Sequence, residues 1–390
     1  MIPREAADTV LRLSKGFPIV AITGPRQSGK TTLARAVFPD KPYVSLEYPD
    51  TRAFAESDPR AFLEGHPDGA VLDEVQRCPD LFSYLQGIVD EDGRMGLFVL
   101  TGSQQFDLRA KITQSLAGRA GMVRLLPFSH DELAAVHREP GAPETAMYNG
   151  YYPPLYDREI APPDWLAGYV ATYLERDLHQ LIQVRDLNAF QLFLRMCAGR
   201  TGQLLNLTSL ANDCGITHNT AKAWISVLEA SYILYLLPPH FRNFNKRLTK
   251  TPKLYFYDTG LACWLLGIQD ANQLISHSLR GALFETWVIS ELIKTRFNRG
   301  LPSNLYFWRD SAGNEIDILV DRGERLAPVE VKSGKTIAAD FFAALRKWCT
   351  LAGTAAGPAT LVYAGSERQQ RTNVTVLPWH AAAEIVSDNK

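Results

Sequence analysis

The chain has 390 residues, 46% hydrophobic and 21% charged, a composition that excludes wholesale disorder and fits about two to four domains. Its 41 basic and 42 acidic residues leave a net charge of -1, so any nucleic-acid contact must rest on a local basic patch. Cys78, Cys197, Cys214, Cys263 and Cys349 stand far apart with no CxxC pair, which argues against a zinc ribbon or a disulfide framework. The opening MIPREAADTVLRL lacks a basic segment followed by a long apolar run, and no stretch reaches the roughly 18 apolar residues that span a bilayer. A reduced, cytoplasmic protein without a signal peptide or membrane contact is expected.

In chain order, residues 1–16 predict an amphipathic helix with Ala6, Val10 and Leu13 on one face. The apolar run Pro18–Thr23 predicts a buried strand, and further strands are expected at Tyr43–Leu46, Gly69–Leu72 and Gly96–Leu100, with helices between them. That alternation implies a parallel sheet closing near Leu133. The proline-, glycine- and tyrosine-rich stretch 142–163 predicts a connector, its tyrosines Tyr148, Tyr151, Tyr152 and Tyr156 read as packing. Residues 164–230 are helical in pattern, and 280–377 return to mixed helix and strand. Boundaries fall near 140–165 and 270–280, giving segments 1–140, 141–165, 166–275 and 276–390.

Gly24-Pro25-Arg26-Gln27-Ser28-Gly29-Lys30-Thr31 fits G-x-x-x-x-G-K-[ST] in full, directly after a strand and before a helix at Thr32–Val37. Glycines let backbone amides wrap a phosphate, and the helix N-terminus adds positive dipole. Lys30 would reach the β- and γ-phosphates, the Thr31 hydroxyl would hold Mg2+, and Thr32 closes the cradle. Such a site needs a second carboxylate for magnesium and a water-orienting group. Asp73 and Glu74 supply both at a strand end, with two helix-capping acids as the plainer alternative. At the end of the next strand, Gln104, or Ser103 beside it, is the candidate contact to the γ-phosphate.

Residues 207–213 and 218–230 predict two short helices around a turn at Cys214–Ile216, with Thr217 as N-cap, followed by strands Tyr232–Leu237 and Leu254–Tyr257. The intervening basic loop holds His240, Arg242, Lys246, Arg247, Lys250 and Lys253, interleaved with Phe241 and Phe244. This is a winged-helix pattern. It suits DNA-backbone contacts by the wing, since the second helix offers only His218, Asn219 and Lys222; packing against protein is the competing reading.

In the C-terminal part, alternation puts Glu315 with Asp317 on one strand face and Glu330 with Lys332 on another. Paired carboxylates facing a divalent metal, with a lysine to neutralise developing charge, form a candidate hydrolytic centre. Charges that merely face water are the alternative.

Together, GPRQSGKTT, VLDEVQRCPDLF, FVLTGSQQF and SLAGRAGMVRLLPFSHDEL resemble the AAA-type ATPases of a bacterial and archaeal family with an uncharacterised C-terminal region. The resemblance implies ATP and Mg2+ as cofactors, and a multidomain α/β fold. That fold would be a P-loop NTPase parallel sheet, then a helical and winged-helix domain, then an α/β restriction-endonuclease-like domain. It also implies that Arg119 is a candidate arginine finger acting on a neighbouring subunit, hence a homo-oligomer; a surface salt bridge is the alternative, with Arg109 and Arg124 nearby. Asp317 followed by Glu330-Val331-Lys332 resembles the PD-(D/E)xK nuclease core. Carried over, Asp317 and Glu330 would ligate a second Mg2+ or Mn2+, Lys332 would stabilise charge, and Glu285 would be the acid of the first helix, with Glu291 as competitor. The expectation is an ATPase serving DNA binding or processing; the alternative is a nucleotide-gated regulator of DNA or a protein partner, with an inactive core.

Overall fold

The computed structural model describes residues 1–102, 115–177, 186–241 and 249–387, without the side chains of 174–177. The chain divides into two compact units. The first holds Met1–Phe128, Ala230–Tyr232 and Phe297–Leu301; the second holds the remainder.

The first unit is built on a parallel sheet in the order β2-β3-β4-β1-β5, from β1 (Ile19–Thr23), β2 (Tyr43–Ser45), β3 (Val71–Asp73), β4 (Phe98–Gly102) and β5 (Ala120–Arg124). The unbroken apolar runs of β1 and β4 are buried along their whole length, as strands covered on both faces must be. Helices α1 (Ala6–Ser14), α2 (Lys30–Val37), α3 (Pro49–Ser57), α4 (Pro59–Glu64) and α5 (Leu81–Asp92) accompany them. One core gathers Ile19, Leu72, Phe82, Phe98 and Leu100, the other Ala6, Val10, Val20, Leu33 and Val99. The sequence reading did not anticipate β5, whose AGMVR lacks an apolar run and alternates in burial. Its Gly121 lets α1 come close: a Cβ there would lie 3.0 Å from Leu13 Cβ.

The second unit begins with α6 (His130–Ala134), opened by a Ser129–Glu132 capping box. The stretch expected as a connector is folded. It carries α7 (Pro143–Asn149), α8 (Pro153–Asp157) and α9 (Pro162–Tyr169), each with proline in its first turn. Proline's fixed φ and missing N–H suit that position, so residues read as punctuation are helix starts. Tyr151 and Tyr152 are buried, and a π-helical segment Val170–Asp177 follows.

Next come α10 (Leu187–Ala198), α11 (Leu207–Asp213) and α12 (His218–Ala230). Asn206 caps α11, and Thr217 Oγ1 accepts from Thr220 N at 3.1 Å to cap α12. Trp224 meets Phe190 and Phe193 edge-on, each 5.1 Å between ring centres. A small sheet in the order β6-β8-β7 joins β6 (Gln203–Leu204), β7 (Leu234–Leu237) and β8 (Lys253–Phe256). Lys253, expected in the basic loop, instead opens β8 and is buried. Arg242, Phe244, Lys246 and Arg247 lie outside the described residues.

After α13 (Thr259–Leu265) and α14 (Gln273–Ser276), the long α15 (Arg280–Asn298) precedes a mixed sheet in the order β13-β14-β12-β11-β10-β9. Its strands are β9 (Leu305–Arg309), β10 (Glu315–Asp321), β11 (Leu326–Lys332), β12 (Ala359–Tyr363), β13 (Gln369–Arg371) and β14 (Val374–Pro378). Strand β10 pairs antiparallel with both β9 and β11, whereas β11 pairs parallel with β12 and β12 with β14. Helix α16 (Ala343–Ala352) packs Leu345 and Trp348 onto the sheet. Among the described residues, no helix is long and apolar enough to cross a membrane.

Candidate functional sites

The loop after β1 approaches backbone too closely for any side chain at Gly24, where a Cβ would fall 2.0 Å from the Leu125 carbonyl oxygen. Gln27 at φ 60° and Gly29 at φ 92° turn it sharply. Gly29 is the N-cap of α2 and contributes no side-chain cap, so the first-turn amides of Lys30, Thr31 and Thr32 have no intrahelical acceptor. Among the described residues, Ser28 Oγ is buried without a hydrogen-bond partner. Pro25 and Ser28 are buried, Arg26 half-buried, and Gln27 and Thr32 exposed. Lys30 Nζ donates to Gly24 O at 3.1 Å and Pro25 O at 2.8 Å. Burial lowers its pKa to about 8, against the opposing pull of Glu74 and Asp73.

Parallel register sets the acidic partner. Val71 pairs with Val99 and Leu72 with Leu100, which brings Asp73 beside Thr101. Asp73 Oδ1 accepts from Thr31 Oγ1 at 3.0 Å and from Thr101 Oγ1; its Oδ2 accepts from Tyr43 OH at 2.7 Å. Burial and that bond raise the Tyr43 pKa to about 12. Glu74 stands in the left-handed region at φ 54°, its Oε2 accepting from Gln76 Nε2. Non-glycine residues held there cluster at functional sites. First-turn amides without an intrahelical acceptor, a buried hydroxyl, a lysine and a carboxylate ringed by hydroxyls fit a magnesium-bound triphosphate. Sequence reasoning missed Tyr43 and Thr101. For Thr101 the available signal was a polar residue near the carboxyl end of a parallel strand, where ligands of such sheets bind; Tyr43 opens β2 and carried no such signal. Gln104, Ser103 and Arg109 lie outside the described residues.

Arg119 is held by Asp90 of α5, with Nε 2.5 Å from Oδ1 and Nη2 2.7 Å from Oδ2. The structure therefore draws the surface salt bridge at this position. Arg124 instead lies over Phe297, 4.8 Å from its ring centre.

In the second unit, α15, β10, β11 and β8 bring a second cluster together. Val331 N donates to Asp317 Oδ2 at 2.9 Å. Lys332 Nζ is 2.7 Å from Glu330 Oε2 and 3.8 Å from Asp317 Oδ2. The β9–β10 register slips between Ile316 and Leu319, where Asp317 sits, as bulges do when they re-aim a side chain. Glu285 joins the group and Glu291 does not. Glu291 accepts from His130 N at 2.7 Å and pairs with Lys294 at 2.7 Å. His130 is buried beside Tyr151, and burial lowers its pKa to about 4.

Lys253, which the sequence reading placed in the wing, lies 3.2 Å from Glu285 Oε1 and 2.5 Å from Glu315 Oε1. Tyr255 OH donates to the same Glu285 oxygen at 2.5 Å. Spacing two apart on one strand was the available signal. Burial, with Asp317 close by, raises Glu285 to about 7 and Glu330 to about 8. Among the described residues, no group of three or more His, Cys, Asp or Glu is arranged to hold a metal ion. The expected ligands Asp317, Glu330 and Glu285 are converging but already answered by ammonium groups.

The sheet, the loop and the Asp73–Glu74 strand end define a P-loop AAA-type ATPase domain, and residues 16–134 match the AAA domain family. Residues 142–272 and 280–382 match two domains of unknown function, DUF8612 and DUF4143. The uncharacterized proteins Rv2008c of Mycobacterium tuberculosis and Mb2031c of Mycobacterium bovis are each 32% identical over 336 residues, 85% of this chain and 74% of theirs. The chain belongs to the family of these two mycobacterial proteins. Two solved structures are similar at 15% identity. The Walker-type ATPase paby2304 of Pyrococcus abyssi has a TM-score of 0.47, over 68% of this chain and 96% of that one. AMPPCP-bound DnaA from Aquifex aeolicus has a TM-score of 0.28, over 57% and 85%.

Proposed function

We propose that the first unit binds and hydrolyses Mg-ATP, and that the cycle serves a DNA-directed second unit. The observation that carries the first half is the Asp73 carboxylate, fixed by Thr31 at 3.0 Å and followed by a strained Glu74. Thr31 and Asp73 would hold the magnesium, which draws charge from the phosphate oxygens. The α2 amides and Lys30 would orient the phosphates, and Glu74 would orient the attacking water and take its proton. Steady-state phosphate release tests this: Lys30→Ala and Glu74→Gln should each lower the rate about a hundredfold or more. Equal rates in all three proteins would remove the reading. Arg119 would act as an arginine finger only in a homo-oligomer, after leaving Asp90.

For the second unit, α11, α12 and the β7–β8 hairpin support a winged-helix reading. His218, Asn219 and Lys222 are exposed on α12, and Phe241 is exposed beyond β7. The convergence of Glu285, Asp317, Glu330 and Lys332 supports a nuclease-like core, in which Asp317 and Glu330 would take Mg2+ or Mn2+ only if the lysine ammonium groups gave way. A second reading, a nucleotide-gated regulator with an inactive core, is favoured by Lys253, whose ammonium pairs with Glu285 and Glu315. DNA incubated with either metal separates them. Cleavage lost in Asp317→Ala supports the nuclease; salt-dependent binding without cleavage supports the regulator.

A further inference from the structure

Ala230–Tyr232 belong to the first unit, although the chain on either side belongs to the second. Tyr232 has φ 57°, a left-handed conformation that bulky side chains seldom adopt, and it is 2% exposed. Its hydroxyl lies 2.9 Å from Thr23 Oγ1. Thr23 is the last residue of β1 and directly precedes Gly24, where the phosphate loop starts. The Thr23 hydroxyl donates to Val123 O at 3.4 Å, which leaves its oxygen to accept from Tyr232. The next residue is fixed just as firmly. Ile233 N donates to Leu228 O of α12 at 2.9 Å, and Ile233 O accepts from Tyr257 N at 3.1 Å. A buried, strained tyrosine thus holds the base of the phosphate loop, and one peptide further on the chain is tied to α12 and to the end of the β7–β8 hairpin.

We propose that Tyr232 is a positioning residue for the phosphate loop, and that through it the loop and α12 respond to one another. The inference rests on reading Gly24–Thr31 as a nucleotide site. Consecutive Cα atoms are about 3.8 Å apart, so a shift of Thr23 that carries Tyr232 with it reaches Ile233 with little slack. Coupling of this kind is reciprocal: whatever binds α12 alters nucleotide affinity by the same factor that nucleotide alters its own.

The test uses the full chain with Tyr232→Phe, Thr23→Val, the double variant, and Thr23→Ser, which keeps the hydroxyl. Calorimetry gives the affinity for Mg-ATPγS, and hydrogen exchange follows residues 218–237 with and without it. Each hydroxyl deletion is expected to weaken binding about three- to tenfold, the worth of one hydrogen bond. The double variant should be no worse than either single one, and Thr23→Ser should match the wild type. Nucleotide should slow exchange around Ile233 in the wild type and not in Tyr232→Phe. Additive losses, a Tyr232→Phe affinity equal to wild type, or the same exchange response in both proteins would each overturn the proposal. Absence of binding by the wild type would overturn the nucleotide reading together with it, whereas normal binding with an indifferent Tyr232→Phe overturns this proposal alone.

Discussion

Lys30 gives the sharpest quantitative prediction, because its charge is held against its surroundings. Burial lowers its pKa from 10.5 to about 8, Glu74 and Asp73 pull it back up, and Arg26 adds to the lowering. In the unfolded chain the amine binds its proton up to the higher value; in the folded chain it releases the proton at the lower one. Between about 8 and 10.5 the unfolded state therefore holds more protons, and stability rises with pH in that window. A gap of about 2.5 pKa units corresponds to about 3 kcal/mol of penalty at pH 7, of which about 2 kcal/mol is relieved by pH 9.5. Lys30→Met removes the titration. It also leaves Gly24 O and Pro25 O without a donor, a cost that does not vary with pH in this range. The measurement is urea unfolding of both proteins at pH 7 and pH 9.5, in the absence of nucleotide. The wild type should gain about 2 kcal/mol relative to Lys30→Met over that interval. Parallel pH curves would show that Lys30 is not desolvated in the loop, and the reasoning would fail. The same chemistry appears in binding. A triphosphate favours the charged amine, so its affinity should fall as pH rises through about 8, with proton uptake visible as buffer-dependent heat.

Gly24→Ala should weaken Mg-ATP binding by more than about tenfold in calorimetry and lower the melting temperature, since its Cβ would meet Leu125 O at 2.0 Å. Lys253→Met strips the ammonium from Glu285 and Glu315 and should cost about 3–5 kcal/mol in urea unfolding. That defect should shrink as pH falls toward about 7 and level off below it, because the Glu285 pKa, raised by burial and Asp317, is held down at about 7 by Lys253, whose loss lets the buried carboxylate take up a proton at higher pH; a defect independent of pH would contradict the burial argument. Asp73→Asn should keep Thr31 and Thr101 as donors to its Oδ1, with its Nδ2 donating to Tyr43 OH in place of the bond Asp73 accepts, while losing magnesium, so phosphate release should collapse with little change in melting temperature.

The phosphate site was legible because its chemistry is local. Gly24 through Thr31 occupy consecutive positions, and a buried strand on one side and a helix on the other confirm the context. The acidic partners also sit at a recognisable strand end. What escaped reading depends on register between distant strands: Thr101 reaches Asp73 only because β3 and β4 pair in step, and Tyr43 only because β2 lies outside β3. The same applies to β5, an edge strand whose glycine and arginine dilute the apolar signal. In 142–163 the error had a different origin. Proline was read as a breaker, but at the first turn of a helix it costs nothing; the packing role expected of the tyrosines is seen in Tyr151 and Tyr152, which are buried. In the C-terminal sheet, alternation paired Glu330 with Lys332, whose charged atoms lie 2.7 Å apart, and only the nuclease-core resemblance grouped Asp317 with them; Lys253 was misplaced because a run of basic residues around it suggested an exposed loop.

The two acidic centres differ in a way that bears on their cations. Asp73 is surrounded by three hydroxyl donors, which satisfy its oxygens without cancelling its charge. Among the described residues Asp73 is in no salt bridge, although Lys30 feels its charge, so a divalent ion arriving there breaks no ion pair, and Thr31 offers a ligand. Glu285, Glu315, Asp317 and Glu330 are instead met by Lys253 and Lys332, whose pKa values are raised because those carboxylates outweigh the penalty of burial. A metal entering this group must either expel an ammonium or settle for fewer charges than the acids would suggest. On this argument, magnesium should protect the first site at far lower concentration than it or manganese protects the second. Lys253→Met should narrow that difference, since it frees two carboxylates without removing any ligand. The comparison can be read by hydrogen exchange at β3 and β10 across a metal titration. Equal midpoints in the wild type would mean that the ammonium groups yield without cost and that ion pairing does not set the metal preference of the C-terminal sheet.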